Sequence, residues 1–405
     1  MGRAKALAST AIRGVHAARE HQITIFERLE DLTRRARRHD PVAPAIAIFC
    51  IVLALSMIGL IVQASHAATT LPAEEFSAEL KKQVLFRCAG LAVMLGAARL
   101  GPSGLRRYIP ALLVVMALLL VAVFLPHIGD EKNGSNRWID LGLVSFQPSE
   151  LARIVIVLWI ADRCVRLGPL VQDIKRGVAP MLALGLFFFG LVAVETDLGG
   201  AVLMLICILA TMWVGGARPT HVFGTFTTVG AGAAVVAFTA IPYMRKRILM
   251  FLGHSHNQQV TDSFSAIGYG DFFGVGVGRG PARNFGVPYL ESDFVFAQIG
   301  EELGFFGMLV VLGLFAALLW FGLRLVLSIK DRYDALATFG LLISTSVQAM
   351  LHVQVVAGLA PPKGMTLPFI SHGGTSLIVS SIGVGLALGA ARRWAGEREQ
   401  VVASS

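Results

Sequence analysis

The chain has 405 residues, 55% of them hydrophobic and 15% charged, with a formal net charge of +9. Soluble domains carry roughly a quarter of their residues as charges. A mean hydropathy of +0.68 therefore excludes a soluble globular enzyme and implies an all-α polytopic membrane protein. The positive excess is not a nucleic-acid signature, because it lacks aromatic interleaving and lies in short segments between apolar runs.

In chain order, residues 1–43 form a basic tail ending in Arg34, Arg35, Arg37 and Arg38, which fixes it in the cytoplasm by the positive-inside rule. Within it, Ile23 to Leu32 reads either as an amphipathic helix on anionic lipid or as a plain topogenic tail. Ala45 to Ala64 is the first run of the roughly 20 apolar residues a span needs. Lying behind the tail, it reads as a signal anchor and not as a cleaved signal peptide. Spans are expected at 44–64, 83–98, 109–126, 149–162, 178–194, 198–215, 220–242, 303–328, 335–357 and 373–391. These ten leave Arg99, Arg106, Arg107, Arg163, Arg166, Lys175, Arg176, Arg218, Lys330 and Arg332 on the cytoplasmic side, with a second tail at 394–405. Every inside loop is then basic. The outer face receives Glu74, Glu75 and Glu79, the segment from the third span to Pro148, Glu195-Thr196-Asp197, the long polar loop 243–300 and a loop ending at His372. Cys50, Cys88, Cys164 and Cys207 lie in or beside apolar segments without CxxC spacing, so neither disulfides nor structural zinc are expected.

One outer segment breaks the charge rule. Tyr243 to Arg283 carries Arg245, Lys246, Arg247, Arg279 and Arg283, and Lys363 lies in the next outer loop. Basic groups on that face point either to an anionic ligand such as a lipid phosphate or pyrophosphate, or to snorkelling toward headgroups.

Several motifs lie on the same face. In Asn133-Gly134-Ser135-Asn136-Arg137-Trp138-Ile139-Asp140-Leu141-Gly142, Trp138 reads as an interface anchor and Arg137 as a group able to meet a phosphate. Phe146-Gln147-Pro148-Ser149-Glu150 puts proline at a helix start and a carboxylate in the first turn, which suits the helix dipole. Glu195 and Asp197 are either functional or simply hydrated at a loop edge. Gly274-Val275-Gly276-Val277-Gly278-Arg279-Gly280 fails the GxGxxG test at Pro281 and reads instead as a loop offering backbone N–H groups to an anion. Glu291-Ser292-Asp293-Phe294 leads directly into an apolar helix. A partly desolvated Asp293 there has a raised pKa and the character of a general base, or else it N-caps the helix. Pro362 to Ser376 breaks the chain with Pro and Gly at membrane depth, which is tolerated where protein or a cavity satisfies the backbone.

Taken in order, these segments resemble the SEDS family of shape, elongation, division and sporulation proteins, over roughly Ala45 to Arg393. Within the family, Pro362-Lys363-Gly364-Met365-Thr366-Leu367-Pro368 looks more like the FtsW branch than the RodA branch. The resemblance implies ten spans, cytoplasmic termini and polymerisation of Lipid II, the undecaprenyl-pyrophosphate-linked disaccharide pentapeptide, into peptidoglycan strands at the outer face of the bacterial inner membrane. It also implies a septal role. Matched motif by motif, the family's catalytic aspartate is Asp293. Its Ser-Arg-Trp motif falls on Arg137 and Trp138, its Gln-Pro-Ser-Glu segment on Gln147 and Glu150, its Pro-Thr-Lys-Gly lysine on Lys363, and its Ile-Ser-Tyr-Gly-Gly on a stretch that includes Ser371. Here Glu291 stands where the family has histidine, Pro288-Tyr289-Leu290 replaces Pro-Glu-Ala, His372 replaces tyrosine, and His352-Val353-Gln354 replaces Asn-Ile-Gly.

Glycosyl transfer from a pyrophosphate needs a base for the acceptor hydroxyl but no protein acid, since the leaving group departs as a stable anion. One carboxylate among cations is enough, unlike the two of a glycosidase. Asp293 is the expected base. Arg137 and Lys363 compensate diphosphate charge, with Arg247 or Arg283 adding to them. A divalent cation, magnesium or manganese, could share that role, although no ligand set is visible. The expected partners are Lipid II, membrane lipid, a class B penicillin-binding transpeptidase and other divisome proteins. A lipid flippase, a non-catalytic scaffold and a RodA-like elongation polymerase are the competing readings.

Overall fold

The computed structural model describes residues 40–125, 129–132, 135–140, 145–251, 253, 258–281, 290–361 and 363–403. Almost all of the basic N-terminal tail, with its Ile23 to Leu32 segment, lies outside them, as do Asn133, Gly134, Leu141, Gly142, Arg283, Pro288, Tyr289 and Pro362. Each of the ten apolar runs falls in or largely in its own helix: α1 Val42–Thr70, α2 Ala73–Leu105, α3 Ile109–Ala122, α4 Pro148–Leu167, α5 Ala179–Val194, α6 Leu198–Val214 and α7 Pro219–Ala240, then α10 Val295–Ser328, α11 Arg332–Val356 and α12 Gly374–Ala403. Between α7 and α10 lie α8 Pro242–Phe251 and α9 Gln258–Gly270. Among the described residues, seven helical stretches are long and apolar enough to cross a membrane, counting Ala73–Ala122 as one. Neither α4 nor α6 is among the seven. The first carries Glu150, Arg153, Asp162, Arg163 and Arg166, and the second has only 17 residues. The described residues form a polytopic membrane fold of the all-α class.

Three elements differ from the expected pattern. α2 begins ten residues before its apolar run, because Glu74 and Glu75 occupy its first turn, where the helix dipole favours carboxylates. The polar segment 243–300 is not a plain loop, since it holds α8, α9 and the start of α10. α12 runs past Arg392 to Ala403: no proline intervenes, and Arg393 pairs with Glu397 one turn on.

Close backbone approach sets the packing. A Cβ on Gly385 would stand 2.3 Å from the Met94 carbonyl oxygen, and one on Gly389 would stand 2.6 Å from Gly101 Cα. Such small residues let helices α2 and α12 meet, as they do generally in membranes. One apolar core joins α3, α4, α5 and α6, and a second joins α1, α10 and α12. A small antiparallel sheet of β1 Gly129–Lys132, β2 Ser135–Asp140 and β3 Ser145–Phe146 precedes α4. Its register pairs Ile139 with Phe146 and Asp140 with Ser145.

α10 is broken at Gly304, whose φ of 71° and ψ of −171° interrupt the helix. The exposed backbone groups are taken up by the glycine-rich segment before it. Val275 and Gly276 N–H donate to the Glu301 and Glu302 carbonyls, while Phe305 and Phe306 N–H donate to Asp271 and Phe272. Gly278 N–H donates to Ser65 Oγ at 2.8 Å. The expectation that Gly274 to Gly280 offers its N–H groups to an anion is therefore corrected: the donors at 275, 276 and 278 already satisfy the broken helix and α1.

Candidate active site

A cavity of about 230 Å³ opens where β2, the first turns of α4 and α6, the Ser292-Asp293 segment, α11 and the strap 363–373 converge. Arg137, Trp138, Gln147, Glu150 and Asp293, expected from distant parts of the sequence, all line it. Two helix starts explain much of its polarity. Asp197 N-caps α6 by accepting from Gly200 N–H at 2.9 Å. Gln147, at the N-cap position of α4, donates from Nε2 to Asp197 Oδ2 at 3.0 Å and to Ser149 Oγ at 3.1 Å. Arg137 Nη1 stands 3.8 Å from Asp197 Oδ1. The guanidinium of β2 is thus charge-compensated from the α6 side while its field also acts on Asp293.

Asp293 does not cap α10. The N-cap residue is Phe294, which makes no side-chain capping bond, so that alternative reading falls away. Burial pushes the Asp293 carboxyl up to about 6, against the lowering influence of Arg137 and Arg247. A carboxylate titrating there accepts a proton near neutral pH and still ionises. The strap closes over it: a Cβ on Gly364 would stand 3.2 Å from Asp293 Oδ2 and 3.7 Å from Arg137 Nη2. Glu291 takes a different direction. Its carboxylate lies 3.4 Å from His66 Nε2, and it does not line the cavity.

Lys363 is beside the cavity and not in its wall. Its Cδ lies near Gly199, and burial lowers its pKa while the Asp197 charge raises it. Arg247, on α8, also lies outside the wall and acts through its field on Asp293. Ser371 is turned to the backbone, accepting from Leu367 N–H and donating to the Ser292 carbonyl, each at 2.7 Å. Arg283 falls outside the described residues. Glu195, 1% exposed, has its pKa pushed up to about 9 by burial first and then by the neighbouring Asp197.

The structure also brings in residues that the motifs did not single out as site residues. Arg153 lies one turn beyond Glu150 on α4 and donates from Nη2 to Gln348 Oε1 at 2.8 Å. Gln348 in turn donates to the Thr366 carbonyl at 3.1 Å. Ser376 Oγ is 2.6 Å from Thr366 Oγ1. An arginine inside an apolar run was the available signal. Glu150 Oε2 and Arg137 Nε are buried without a protein hydrogen-bond partner, the kind of atom a bound ligand satisfies. Among the described residues, no group of three or more His, Cys, Asp or Glu side chains could hold a metal ion.

The fold and site define a polytopic membrane protein in which loop residues and helix starts enclose the buried carboxyl of Asp293 beside Arg137. The chain belongs to the cell cycle protein family of FtsW, RodA and SpoVE, the SEDS family, whose model matches residues 45–394. It is 32% identical over 357 residues to stage V sporulation protein E of Bacillus subtilis, covering 86% of this chain and 97% of that protein. It is 34% identical over 349 residues to the probable peptidoglycan glycosyltransferase FtsW of Alkalilimnicola ehrlichii, covering 83% and 86%. Among solved structures, a chain of a peptidoglycan synthase complex that coordinates polymerization and crosslinking matches with a TM-score of 0.72 and 28% identity, covering 86% of this chain and 97% of that one. The rod shape determining protein RodA of Thermus thermophilus matches with a TM-score of 0.63 and 25% identity, covering 85% and 95%.

Proposed function

We propose that this chain is a peptidoglycan glycosyltransferase that polymerises Lipid II at the outer face of the bacterial inner membrane. The observation that carries the reading is the cavity, in which a buried carboxylate with a pKa of about 6 sits beside Arg137. In the reaction, Asp293 accepts the proton of the acceptor sugar hydroxyl as that oxygen attacks the anomeric carbon bearing the diphosphate. The carbon–oxygen bond to diphosphate breaks, and the leaving anion is met by Arg137 in the cavity wall, with Lys363 and Arg247 adding their fields from beside it. Oriented cations of this kind are worth more in a water-poor site than in solution. Magnesium is commonly held by one or two carboxylates plus substrate phosphates, so Asp197 could hold such an ion together with the diphosphate and add to the compensating charge, leaving Asp293 free as the base.

In a ten-span topology with both termini in the cytoplasm, α8, α9 and the strap lie on the substrate's side of the membrane. The Lys363 motif supports a septal role over elongation. The solved synthase complex that coordinates polymerization with crosslinking supports a class B transpeptidase as partner. The test is polymerisation of Lipid II by the purified full chain, with and without its candidate transpeptidase. Glycan strands support the proposal. Movement of Lipid II across vesicles without polymer would favour a flippase, and neither outcome would leave a scaffold.

A further inference from the structure

Helix α1 contributes nothing to the cavity wall, yet one of its faces holds the two segments that close the cavity. Gln63 is 3% exposed. Its Nε2 donates to the Glu291 carbonyl at 2.8 Å and to the Ile370 carbonyl at 3.3 Å. A single amide therefore bridges the segment carrying Asp293 and the strap carrying Lys363 and Gly364. The same seam is sewn by His372 N–H, which donates to the Glu291 carbonyl at 2.9 Å, and by Ser371 Oγ, which donates to the Ser292 carbonyl. One turn before Gln63, a Cβ on Gly59 would stand 2.7 Å from both Ile370 Cα and Phe369 O, so the strap lies directly on α1. Next to Gln63, the Val62 carbonyl accepts from Gln298 Nε2 at 3.1 Å, tying α1 to the first turns of α10. Phe369 sits at φ 67°, a conformation that persists only where its surroundings over-determine it.

We propose that Gln63 is a positioning residue for glycosyl transfer, a role that rests on the polymerase reading above. By clamping two carbonyls from different segments, it sets where Asp293 stands relative to Arg137 and the strap, without itself touching substrate. A base must lie within hydrogen-bond reach of the proton it takes, and a displacement of about 1 Å caused away from the chemistry can cost about 10²-fold. A buried amide that merely satisfied itself would affect folding and leave the catalytic constant of the folded molecules alone.

Gln63→Leu keeps the approximate shape and removes both donors, whereas Gln63→Glu retains an O–H donor only while protonated. With the purified full chain and Lipid II, Gln63→Leu is expected to lower kcat about 10- to 100-fold while KM stays within about twofold. The ratio of the Gln63→Glu rate to the wild-type rate is expected to rise as pH falls. A second readout does not depend on activity. Amide hydrogen exchange in peptides covering 367–372 should accelerate in Gln63→Leu, with α11 unchanged. Wild-type kcat in Gln63→Leu, or exchange that is unchanged or faster throughout the protein, would overturn the proposal. If the wild-type chain makes no polymer, the polymerase reading fails, and the exchange comparison still decides whether Gln63 holds the two segments together.

Discussion

Replacing Asp293 with asparagine should stabilise the folded protein at neutral pH while removing its base. Burial raises this carboxyl from 3.8 to about 6, with Arg137 and Arg247 opposing the rise. At 1.36 kcal/mol per pH unit, that difference corresponds to about 3 kcal/mol. Because the folded-state value lies above the unfolded one, the fold prefers the protonated form. The ionised carboxylate therefore costs the fold its full penalty above about pH 6, progressively less between 6 and 3.8, and nothing below. Asparagine never ionises and escapes the penalty. Thermal unfolding of purified wild type and Asp293→Asn, followed by tryptophan fluorescence across pH, should show the variant melting a few degrees higher at pH 7.5. The gap should close as pH falls toward 4. A variant that melts at or below wild type at pH 7.5, or a gap independent of pH, would refute the desolvated-carboxylate description. The same titration sets the rate profile: ionised Asp293 falls from roughly nine-tenths at pH 7 to roughly one-tenth at pH 5, so polymerisation should fall about tenfold.

Lys363→Ala should weaken polymerisation more than folding, since the apolar anchoring of the strap rests on Met365, Leu367, Phe369 and Ile370 and not on Lys363, and Lys363→Arg should retain part of the activity as a replacement charge; steady-state rates beside thermal midpoints check both. Gly364→Ala brings a methyl to 3.2 Å from Asp293 Oδ2 and should lower the rate about tenfold by displacing the carboxylate, with expression and melting near wild type. Cysteines placed at Arg279 and Leu359 should be labelled from the periplasm, and at Arg107 and Arg176 from the cytoplasm; labelling of Arg279 and Leu359 from opposite sides would break the ten-span topology.

The helices were legible because Lys and Arg punctuate the apolar runs, and each run found its helix. Boundaries were less so. Carboxylates at 74 and 75 read as loop in one dimension but favour a helix start in three. The break at Gly304 is hidden between Leu303 and Phe305, so the glycines that satisfy it looked free to bind an anion. Arg137, Gln147, Glu150 and Asp293 come from three separate segments. Their meeting was readable only through family resemblance, since no local pattern links residue 137 to residue 293. Arg153 and Gln348 were passed over as span residues, because apolar neighbours dominate each window. The Glu291 side chain, adjacent in sequence to the site, leaves it for His66, which spacing alone does not reveal.

Lipid II polymerisation by purified wild type, Asp293→Asn and Glu291→Gln, compared side by side, tests the central claim most directly. A positioned base typically supplies about 10²–10⁴-fold in rate, so Asp293→Asn should drop to near background while remaining folded and melting no lower than wild type. Glu291→Gln should keep substantial activity, because its side chain lies at His66 and outside the cavity. An active Asp293→Asn beside an inactive Glu291→Gln would contradict the assignment and move the base two residues upstream.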